Sequence, residues 1–414
     1  MSDLTVDEQI QLDGELSEFF TLELSGSNYE RGLQHGRALR RVIRPTVNRF
    51  KYDMINTALS DSGTDYQYND YKCFFYENTG LLKVAEQQVP ELVDEIRGMA
   101  DGAGIPFEDM FVYNLNFDET YWVLEKMTGV DYKLTMAMKE TNGKKQEFPD
   151  SHCSMGSVWG SKKLSLAYTL DWTRHFEGSQ TLIKHVMPNG DVILMTTYAG
   201  TLIGHAINAS QGYTFTPHSK FMLEHDVDNG LAQIFVYRKL IEAGSTKEAN
   251  DYLNLVKPAS GLSYTLSDFR GTKAYEVSAN QISEVKSDGD YMAVANVARA
   301  NNDLSSSYRD ALELTDSAIN MEGLPSTYWD LNQDSVERED IIIKAIKDKA
   351  VGQMTPELWQ DIFICSPINK PVNEVLSTTN LWHVVEIDEQ YIEYYVSAGN
   401  PGKLDFENYK IKYR

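Results

Sequence analysis

From Cys153 onward the chain is a succession of short alternating segments separated by glycine-containing turns. Apolar residues recur there with the period of two that turns one strand face toward a core. Three stretches each predict two strands joined by a tight turn: SVWGSKKLSLAYTL, IKHVMPNGDVILMTT and SYTLSDFRGTKAYEV. Further strands are predicted within residues 280–297 and 383–399. This pattern constrains the second part of the chain to antiparallel sheets.

The first 120 residues are instead predicted to be mainly helical. One helix is predicted from Asn28, with Glu30 in its first turn, to Pro45, which kinks or ends it. Another begins at Pro90 and ends at the glycines of residues 101–104, because its apolar side chains recur every three or four positions. Later helices are predicted at about 229–243, 245–256, 334–349 and 355–363. Hairpins interleaved with helices predict an α+β layered fold rather than a doubly wound parallel sheet.

The charge balance excludes several classes of partner. Lys and Arg number 38 against 61 Asp and Glu, which gives a formal net charge of −23. Since no basic surplus exists to bind phosphates, we expect neither nucleic acid nor an anionic membrane as a partner. The sequence has no signal-peptide pattern and no run of 18 apolar residues, so a cytoplasmic location is expected.

No metal or cofactor is expected from the motifs. His175, His185 and His205 lie on different predicted elements and lack a ligand spacing such as HExxH. The DGAG segment at 101–104 lacks the lysine and the following helix of a phosphate-binding loop. No paired carboxylates indicate glycosidase chemistry.

The three cysteines differ in their surroundings. Cys73 and Cys365 lie in apolar runs, which predicts core positions. Cys153 instead follows the polar stretch 139–152, which we expect to be an exposed, mobile loop, and opens a predicted strand. Three cysteines in all give neither a disulfide framework nor a zinc site of the CxxC type. Cys153 is therefore the candidate nucleophile, with an ordinary loop position as the alternative.

Strand pairing predicts the surroundings of Cys153. If residues 160–163 form the hairpin turn, facing positions sum to about 323, so residue 153 faces 170 and Asp171 lies beside the Cys153 backbone. A carboxylate there is useful if the Cys153 nitrogen becomes a free amine, whose pKa of about 7.7–8.0 lets it accept the thiol proton. The alternative is that Asp171 caps a turn before Trp172. A conventional Cys-His hydrolase with an internal cysteine is also possible if a histidine lies near the thiol.

Several stretches resemble the acyl-coenzyme A:6-aminopenicillanic acid acyltransferase-like group (peptidase C45) of N-terminal nucleophile (Ntn) hydrolases. The resemblance covers about residues 26–400 in patches whose order and spacing are specific together, and the nucleophile hairpin ends in the family's xDW. The matching segments are GSNYERGLQHGRAL (26–39), 90–119, HCSMGSVWG…LSLAYTLDW (152–172), GLSYTLSDFRGTKAYEVS (261–278), VANVARANND (294–303) and YRDALELT (308–315).

The resemblance implies a four-layer αββα sandwich and self-cleavage between His152 and Cys153. Residues 1–152 and 153–414 would then be two associated subunits of one Ntn domain. Cys153 would attack a small N-acyl amide or acyl thioester, and water or an amine would resolve the acyl-enzyme. Asp171 would orient the amine, and Asn296 would donate a hydrogen bond to the oxyanion. No cofactor is implied.

Other residues are candidates for substrate binding. Arg174 and Arg309 could pair with a substrate carboxylate, although surface ion pairs are the alternative for both. Asn208 lies in GHAINASQGY, which resembles a pocket-lining segment of related hydrolases, and packing or turn formation is its alternative role.

The chain also departs from the family pattern. His152 precedes the nucleophile where the family usually has glycine, and Val297 follows Asn296 where the family usually has histidine. A glycine eases the backbone geometry of self-cleavage, so His152 favours a rival hypothesis. In that hypothesis the chain is an unprocessed, catalytically silent relative with a binding or structural role. An alternative role for His152 is to assist the proton transfers.

Overall fold

The computed structural model describes residues 19–115, 118–132, 134, 153–315, 320–370, 377–401 and 407–413. These residues form two β-sheets and a set of helices, which agrees with the mixed α and β class predicted from the sequence. The predicted loop at 139–152, with His152 at its end, lies outside the described residues.

The strands follow the chain in the order β1 to β14. Their bounds are β1 Phe20–Ser25, β2 Ser154–Trp159, β3 Lys163–Thr173, β4 Gln180–Val186, β5 Val192–Tyr198, β6 His205–Asn208, β7 Tyr213–Ser219, β8 Leu262–Asp268, β9 Gly271–Val277, β10 Ile282–Val285, β11 Tyr291–Val294, β12 Ser377–Asp388, β13 Tyr391–Ala398 and β14 Glu407–Lys412.

The α-helices are numbered in the same way. They are α1 Asn28–Ala38, α2 Arg40–Asn48, α3 Asn56–Asp61, α4 Tyr68–Asn78, α5 Leu81–Gln88, α6 Pro90–Ala103, α7 Phe107–Asn114, α8 Asp118–Thr128, α9 Gln233–Glu242, α10 Thr246–Leu253, α11 Ser306–Ala311, α12 Ser326–Leu331, α13 Gln333–Ile346 and α14 Pro356–Phe363. A π-helical segment, Arg49–Ile55, joins α2 to α3.

Hairpin connections build both sheets. The eight-stranded sheet has the order β1-β4-β5-β6-β7-β8-β9-β10, and the six-stranded sheet has the order β11-β2-β3-β12-β13-β14. Only the β1–β4 pair is parallel among the strand pairs of the described residues. The predicted hairpins around residues 160, 189 and 269 are all confirmed.

The register of the β2–β3 hairpin matches the prediction. Ser154 faces Thr169, Met155 faces Tyr168 and Trp159 faces Leu164, so facing residue numbers sum to 323. The turn fixes this register, because a slip by one residue would move every side chain to the other face. Cys153 therefore precedes β2 at the end where β3 carries Leu170 and Asp171.

The two sheets contact each other, and both also contact helices. On β7, Phe215 contacts Tyr237 of α9, whereas His218 contacts Tyr168 of β3 in the other sheet. In the six-stranded sheet, Ser165 of β3 accepts a hydrogen bond from Trp359 of α14. Buried apolar side chains of the described residues form three clusters, and one of them joins β2, β3 and β12 to α13 and α14.

Helices α1 and α6 approach each other closely through glycines. A Cβ atom added at Gly32 would lie 1.9 Å from the Glu95 carbonyl oxygen, and one at Gly98 would lie 2.1 Å from the Tyr29 carbonyl oxygen. Glycines in the 26–39 and 90–119 segments thus serve helix packing. The Glu95 side chain pairs with Arg31 and Arg238 in the same region.

Two cysteine predictions are wrong, since both Cys73 and Cys365 are exposed. Helix α4 buries Tyr71 and Phe75, and Cys73 lies midway between them on the opposite face of the helix. Cys365 follows the end of α14, beyond the buried Phe363. An apolar run in a helix does not bury every residue in it, because only one face meets the core.

The helix starting at Asn28 has a different end from the predicted one. It stops at Ala38, and α2 then continues through Pro45 to Asn48. The break lies at Leu39, whose φ of −108° and ψ of 21° are not helical. The predicted start is confirmed, since Ser27 and Glu30 form a capping box.

No helix in the described part of the chain is both long and apolar enough to cross a membrane. The cytoplasmic location stays a prediction.

Replacing Gly32 with alanine is expected to lower the stability of the fold. The added methyl group would overlap the Glu95 carbonyl, and overpacking of this kind costs about 1–3 kcal/mol, which outweighs the helix-propensity gain of about 1 kcal/mol. The midpoint of urea unfolding measures the change. The matched control is Gly352→Ala, because no atom lies within 4 Å of a Cβ atom built at Gly352. An unchanged midpoint for Gly32→Ala would contradict this packing.

Candidate active site

Cys153 lies at the start of the central hairpin and is buried, with 3% of its surface exposed. It lines a narrow pocket between the two sheets and α9, whose cavity volume is ≈ 20 Å³. That volume holds about one water molecule. The other lining residues are Tyr168, Leu170, Trp172, Ile203, Gly204, His205, Pro217, Ser219, Gln233 and Tyr237.

The backbone of Cys153 is held by two buried side chains. Its N–H donates to Asn296 Oδ1 at 3.1 Å, and its carbonyl oxygen accepts from Arg338 Nη1 at 2.8 Å. The structure thus brings the predicted Asn296 next to Cys153, at the main chain rather than at the sulfur. Asn296 also donates from Nδ2 to the Ser219 carbonyl at 3.1 Å.

Arg338 links three parts of the site. It is fully buried on α13 and donates to Ser154 Oγ at 2.9 Å and to Asn296 Oδ1 at 3.0 Å. Its Nε donates to Asp334 Oδ2 at 2.8 Å, so the buried charge has a partner one helical turn away. A guanidinium that donates several hydrogen bonds fixes the relative positions of its partners and also supplies a positive charge.

A second buried ion pair holds the loop that carries Asn296. Lys220 Nζ donates to the Ala295 carbonyl at 2.9 Å and lies 3.3 Å from Glu276 Oε1. The Glu276 carboxylate also accepts from the backbone N–H groups of residues 299, 300 and 301. In the 261–278 segment, Glu276 therefore serves to position the loop around Asn296.

Asp171 is buried near the end of β3, at the same end of the hairpin as Cys153. Its Oδ1 accepts from Thr379 Oγ1 at 2.6 Å, whereas its Oδ2 has no hydrogen-bond partner among the described residues. Burial raises the pKa of Asp171 to about 7, although Lys370, Thr379 and Arg338 act in the opposite direction. The carboxyl therefore has a free buried oxygen at the Cys153 end of the hairpin.

Burial also controls the protonation state of the Cys153 thiol. It raises the pKa of Cys153 to about 12, and the nearby Asp171 and Asp118 carboxylates act in the same direction. Tyr168 and Arg338 lower the pKa of the thiol. In this form of the chain the thiol is protonated, so a nucleophilic Cys153 needs a base.

The histidine that lines the pocket is already engaged through both ring nitrogens. His205 Nδ1 lies 3.0 Å from the Tyr394 hydroxyl, and Nε2 lies 3.3 Å from Thr214 Oγ1. Its ring stacks on His383 with centroids 3.7 Å apart. Burial lowers the pKa of His205 to about 3, which makes it a poor base for the thiol.

Three predicted binding residues do not line this pocket. Arg174 lies 3.8 Å from Glu177 in a surface ion pair, which was its alternative role. Asn208 donates to the Ile241 carbonyl at 2.9 Å and accepts from Gln211 N–H at 3.0 Å, which agrees with packing and turn formation. Arg309, half-buried on α11, also lies away from it.

His175, His185 and His205 are distributed over separate elements. Within the described ranges, no three His, Cys, Asp or Glu residues are grouped so that they could hold a metal ion.

The sequence did not identify Arg338, Tyr168 or Gln233 as site residues. Arg338 is one of several charged residues in SVERED, and nothing local marks it as buried. Gln233 contacts the buried Glu119, whose carboxylate accepts from both the Gln233 backbone N–H and Nε2. Tyr168 was detectable, since the predicted register places it across from Met155.

No family model and no curated protein matches the sequence. Among solved structures, the chain is similar to a Caenorhabditis elegans N-acylethanolamine-hydrolyzing acid amidase (NAAA) ortholog, with a TM-score of 0.38 and 12% sequence identity. The match covers 56% of this chain and 92% of that one.

Replacing His218 with leucine is expected to keep or raise stability at pH 8 and to reduce acid sensitivity. Both ring nitrogens are buried and have no hydrogen-bond partner among the described residues, and burial lowers the pKa of His218 well below its usual value. The unfolded chain takes up a proton near pH 6.5 that the folded chain does not, so stability falls as the pH drops below 6.5. Leucine removes this contribution, which is about 1.4 kcal/mol per pH unit.

Urea unfolding at pH 5, 6, 7 and 8 measures the effect. The control is Thr216→Val, which removes an unpartnered buried hydroxyl from the same strand but no titrating group. It should keep the pH dependence of the wild type. A His218→Leu variant with the wild-type pH slope would contradict the prediction.

Proposed function

We propose that this chain is a self-processed cysteine amidohydrolase or acyltransferase of the Ntn type, with the αββα layering of that class. Cleavage between His152 and Cys153 would give residues 1–152 and 153–414 as two associated chains. Cys153 then forms an acyl-enzyme with a small N-acyl amide or acyl thioester, and water or an amine accepts the acyl group.

The observation that carries the proposal is that the polar contacts surround the main chain of Cys153. Asn296 holds its nitrogen and Arg338 holds its carbonyl oxygen, and the unpartnered Asp171 Oδ2 belongs to the same buried site. A conventional thiol hydrolase needs a basic histidine at the sulfur, and His205 is engaged elsewhere. The arrangement instead suits a reaction that frees the Cys153 nitrogen as an amine.

In the processed enzyme the α-amino group acts as the base. It accepts the thiol proton, the thiolate attacks the acyl carbon, and the S–C bond forms as the amide C–N bond breaks. The α-amino group passes the same proton to the departing amine. Water or an acceptor amine then attacks the thioester, gives a proton to the α-amino group, and sulfur leaves as a thiol.

Asp171 and Asn296 have separate tasks in this scheme. Asp171 Oδ2, which lacks a partner among the described residues, accepts a hydrogen bond from the amine and favours its charged form. Asn296 Nδ2 has two hydrogens, and Ser219 takes one of them. The other is available to the oxyanion, and removal of one such donor typically lowers kcat by about 10²–10³-fold.

The pocket wall suggests an apolar acyl group. Leu170, Trp172, Ile203 and Tyr237 line it together with the polar Gln233. Its volume of ≈ 20 Å³ requires these side chains to move before an acyl group enters. A pocket that is mostly apolar with a few fixed polar groups is typical of small-molecule sites.

Intact-mass analysis of the purified protein tests the proposal. We expect fragments of residues 1–152 and 153–414 and a thiol-dependent amidase activity, because Cys153 is both the cleaving and the catalytic nucleophile. Cys153→Ala should remain a single chain and should be inactive. Cys365→Ser is the matched control and should be cleaved like the wild type, since Cys365 is exposed at the end of α14.

A wild-type chain that stays whole and has no thiol-dependent activity would overturn the proposal. That result would support the rival hypothesis of an unprocessed binding or structural relative. Cleavage without amide turnover would instead contradict only the substrate class.

A further inference from the structure

The charged groups that face the Cys153 thiol disfavour its ionised form. The carboxylates of Asp171 and Asp118 raise the pKa of the thiol, and Arg338 is the cation that lowers it. Arg338 donates hydrogen bonds to the Cys153 carbonyl, Ser154, Ser335, Asn296 and Asp334. A hydrogen bond donated to the sulfur by a neutral group would therefore stabilise a thiolate at this buried position.

Tyr168 is the neutral group beside the sulfur. It lies on β3 opposite Met155, and both Tyr168 and Cys153 line the pocket. Its hydroxyl donates to the Pro217 carbonyl oxygen at 2.9 Å, and Tyr168 lowers the pKa of the Cys153 thiol. With its hydrogen on Pro217, the hydroxyl oxygen can accept from the thiol S–H.

The Tyr168 ring is held by three imidazoles. Its centroid lies 5.2 Å from those of His205 and His383, which stack on it, and 5.4 Å from that of His218, which meets it edge to face. Burial lowers the pKa of all three histidines below the usual range. They are neutral at physiological pH, so they orient the ring without supplying a proton.

We propose that Tyr168 is a catalytic residue that donates its hydroxyl hydrogen to Cys153 Sγ once the thiol has lost its proton. The hydroxyl turns from the Pro217 carbonyl to the sulfur, and Tyr168 keeps its own proton throughout. The thiol proton goes to the base, which is the α-amino group in the function proposed above. The role of Tyr168 in turnover rests on that proposed function, whereas the effect of Tyr168 on the thiol does not.

Alkylation of Cys153 by iodoacetamide tests this role. The background is Cys73→Ser with Cys365→Ser, which removes the two exposed thiols and leaves Cys153 alone. The rate is followed by intact mass between pH 7 and 10 in this background and with Tyr168→Phe added. A hydrogen bond to a charged group corresponds to about 10- to 100-fold in thiolate fraction. A thiolate whose thiol has a higher pKa is also a stronger nucleophile, and this offsets about half of the loss on a logarithmic scale. Alkylation should therefore slow about 3- to 10-fold.

Tyr213→Phe is the matched control. It removes another buried tyrosine hydroxyl that donates to a backbone carbonyl, that of Leu240 at 2.7 Å. It should leave the alkylation rate within about twofold of the background. If Tyr168→Phe fails to fold, 3-fluorotyrosine at position 168 provides the second variant. Its more acidic hydroxyl should donate more strongly and change the pH profile in the opposite direction.

The proposal is overturned if the Tyr168 variants keep the background pH profile or if Tyr213→Phe slows alkylation equally. A Cys153 that reacts in no variant also contradicts it, because a catalytic thiol must be reachable. Slower alkylation of Tyr168→Phe without amidase activity in the wild type would keep this role and reject the proposed function. Amidase activity in the wild type, together with an unchanged alkylation profile in the Tyr168 variants, would keep the proposed function and reject this role of Tyr168.

Discussion

The buried guanidinium of Arg338 determines how the parts of the site meet. It contacts the Cys153 carbonyl at 2.8 Å and Asn296 Oδ1 at 3.0 Å, and Asp334 balances its charge at 2.8 Å. These contacts tie the start of β2 and the loop after β11 to α13. Removing one partner of a buried charge costs about 3–5 kcal/mol, so the three elements have little freedom to separate. The Lys220–Glu276 pair extends the same constraint to the loop that carries Asn296.

Local sequence predicted the parts of the fold that depend on local interactions. The β2–β3 register follows from one turn, and it gave the sum of 323 that the strands have. The start of α1 at Asn28 and the end of α6 at the glycines of residues 101–104 were also predicted, because each depends on a few neighbouring residues. The cysteines at 73 and 365 were misassigned because hydrophobicity was counted along the chain rather than around a helix.

The contacts that make the site were not predictable in the same way. Arg338 is 185 residues from Cys153 in sequence, and its hydrogen bond to the Cys153 carbonyl depends on where α13 packs. Asn296 was expected at the site from a resemblance, yet the contact with the Cys153 nitrogen requires β11 to pair with β2. Tertiary packing sets such long-range contacts, so local sequence patterns do not reveal them.

The protonation states of the buried groups indicate which base can accept the thiol proton. All seven histidines in the described part of the chain have a lowered pKa, so none is poised to take a proton near neutral pH. Asp171 has a raised pKa of about 7 and a buried oxygen without a partner among the described residues, which is a costly state for a carboxyl group. An ammonium group formed at the Cys153 nitrogen would supply both a donor and a positive charge to that oxygen. It would lower the pKa of Asp171 and replace an isolated buried carboxyl with an ion pair. The same chemical change that creates a base for the thiol would therefore also give the unpartnered oxygen of Asp171 a hydrogen-bond donor.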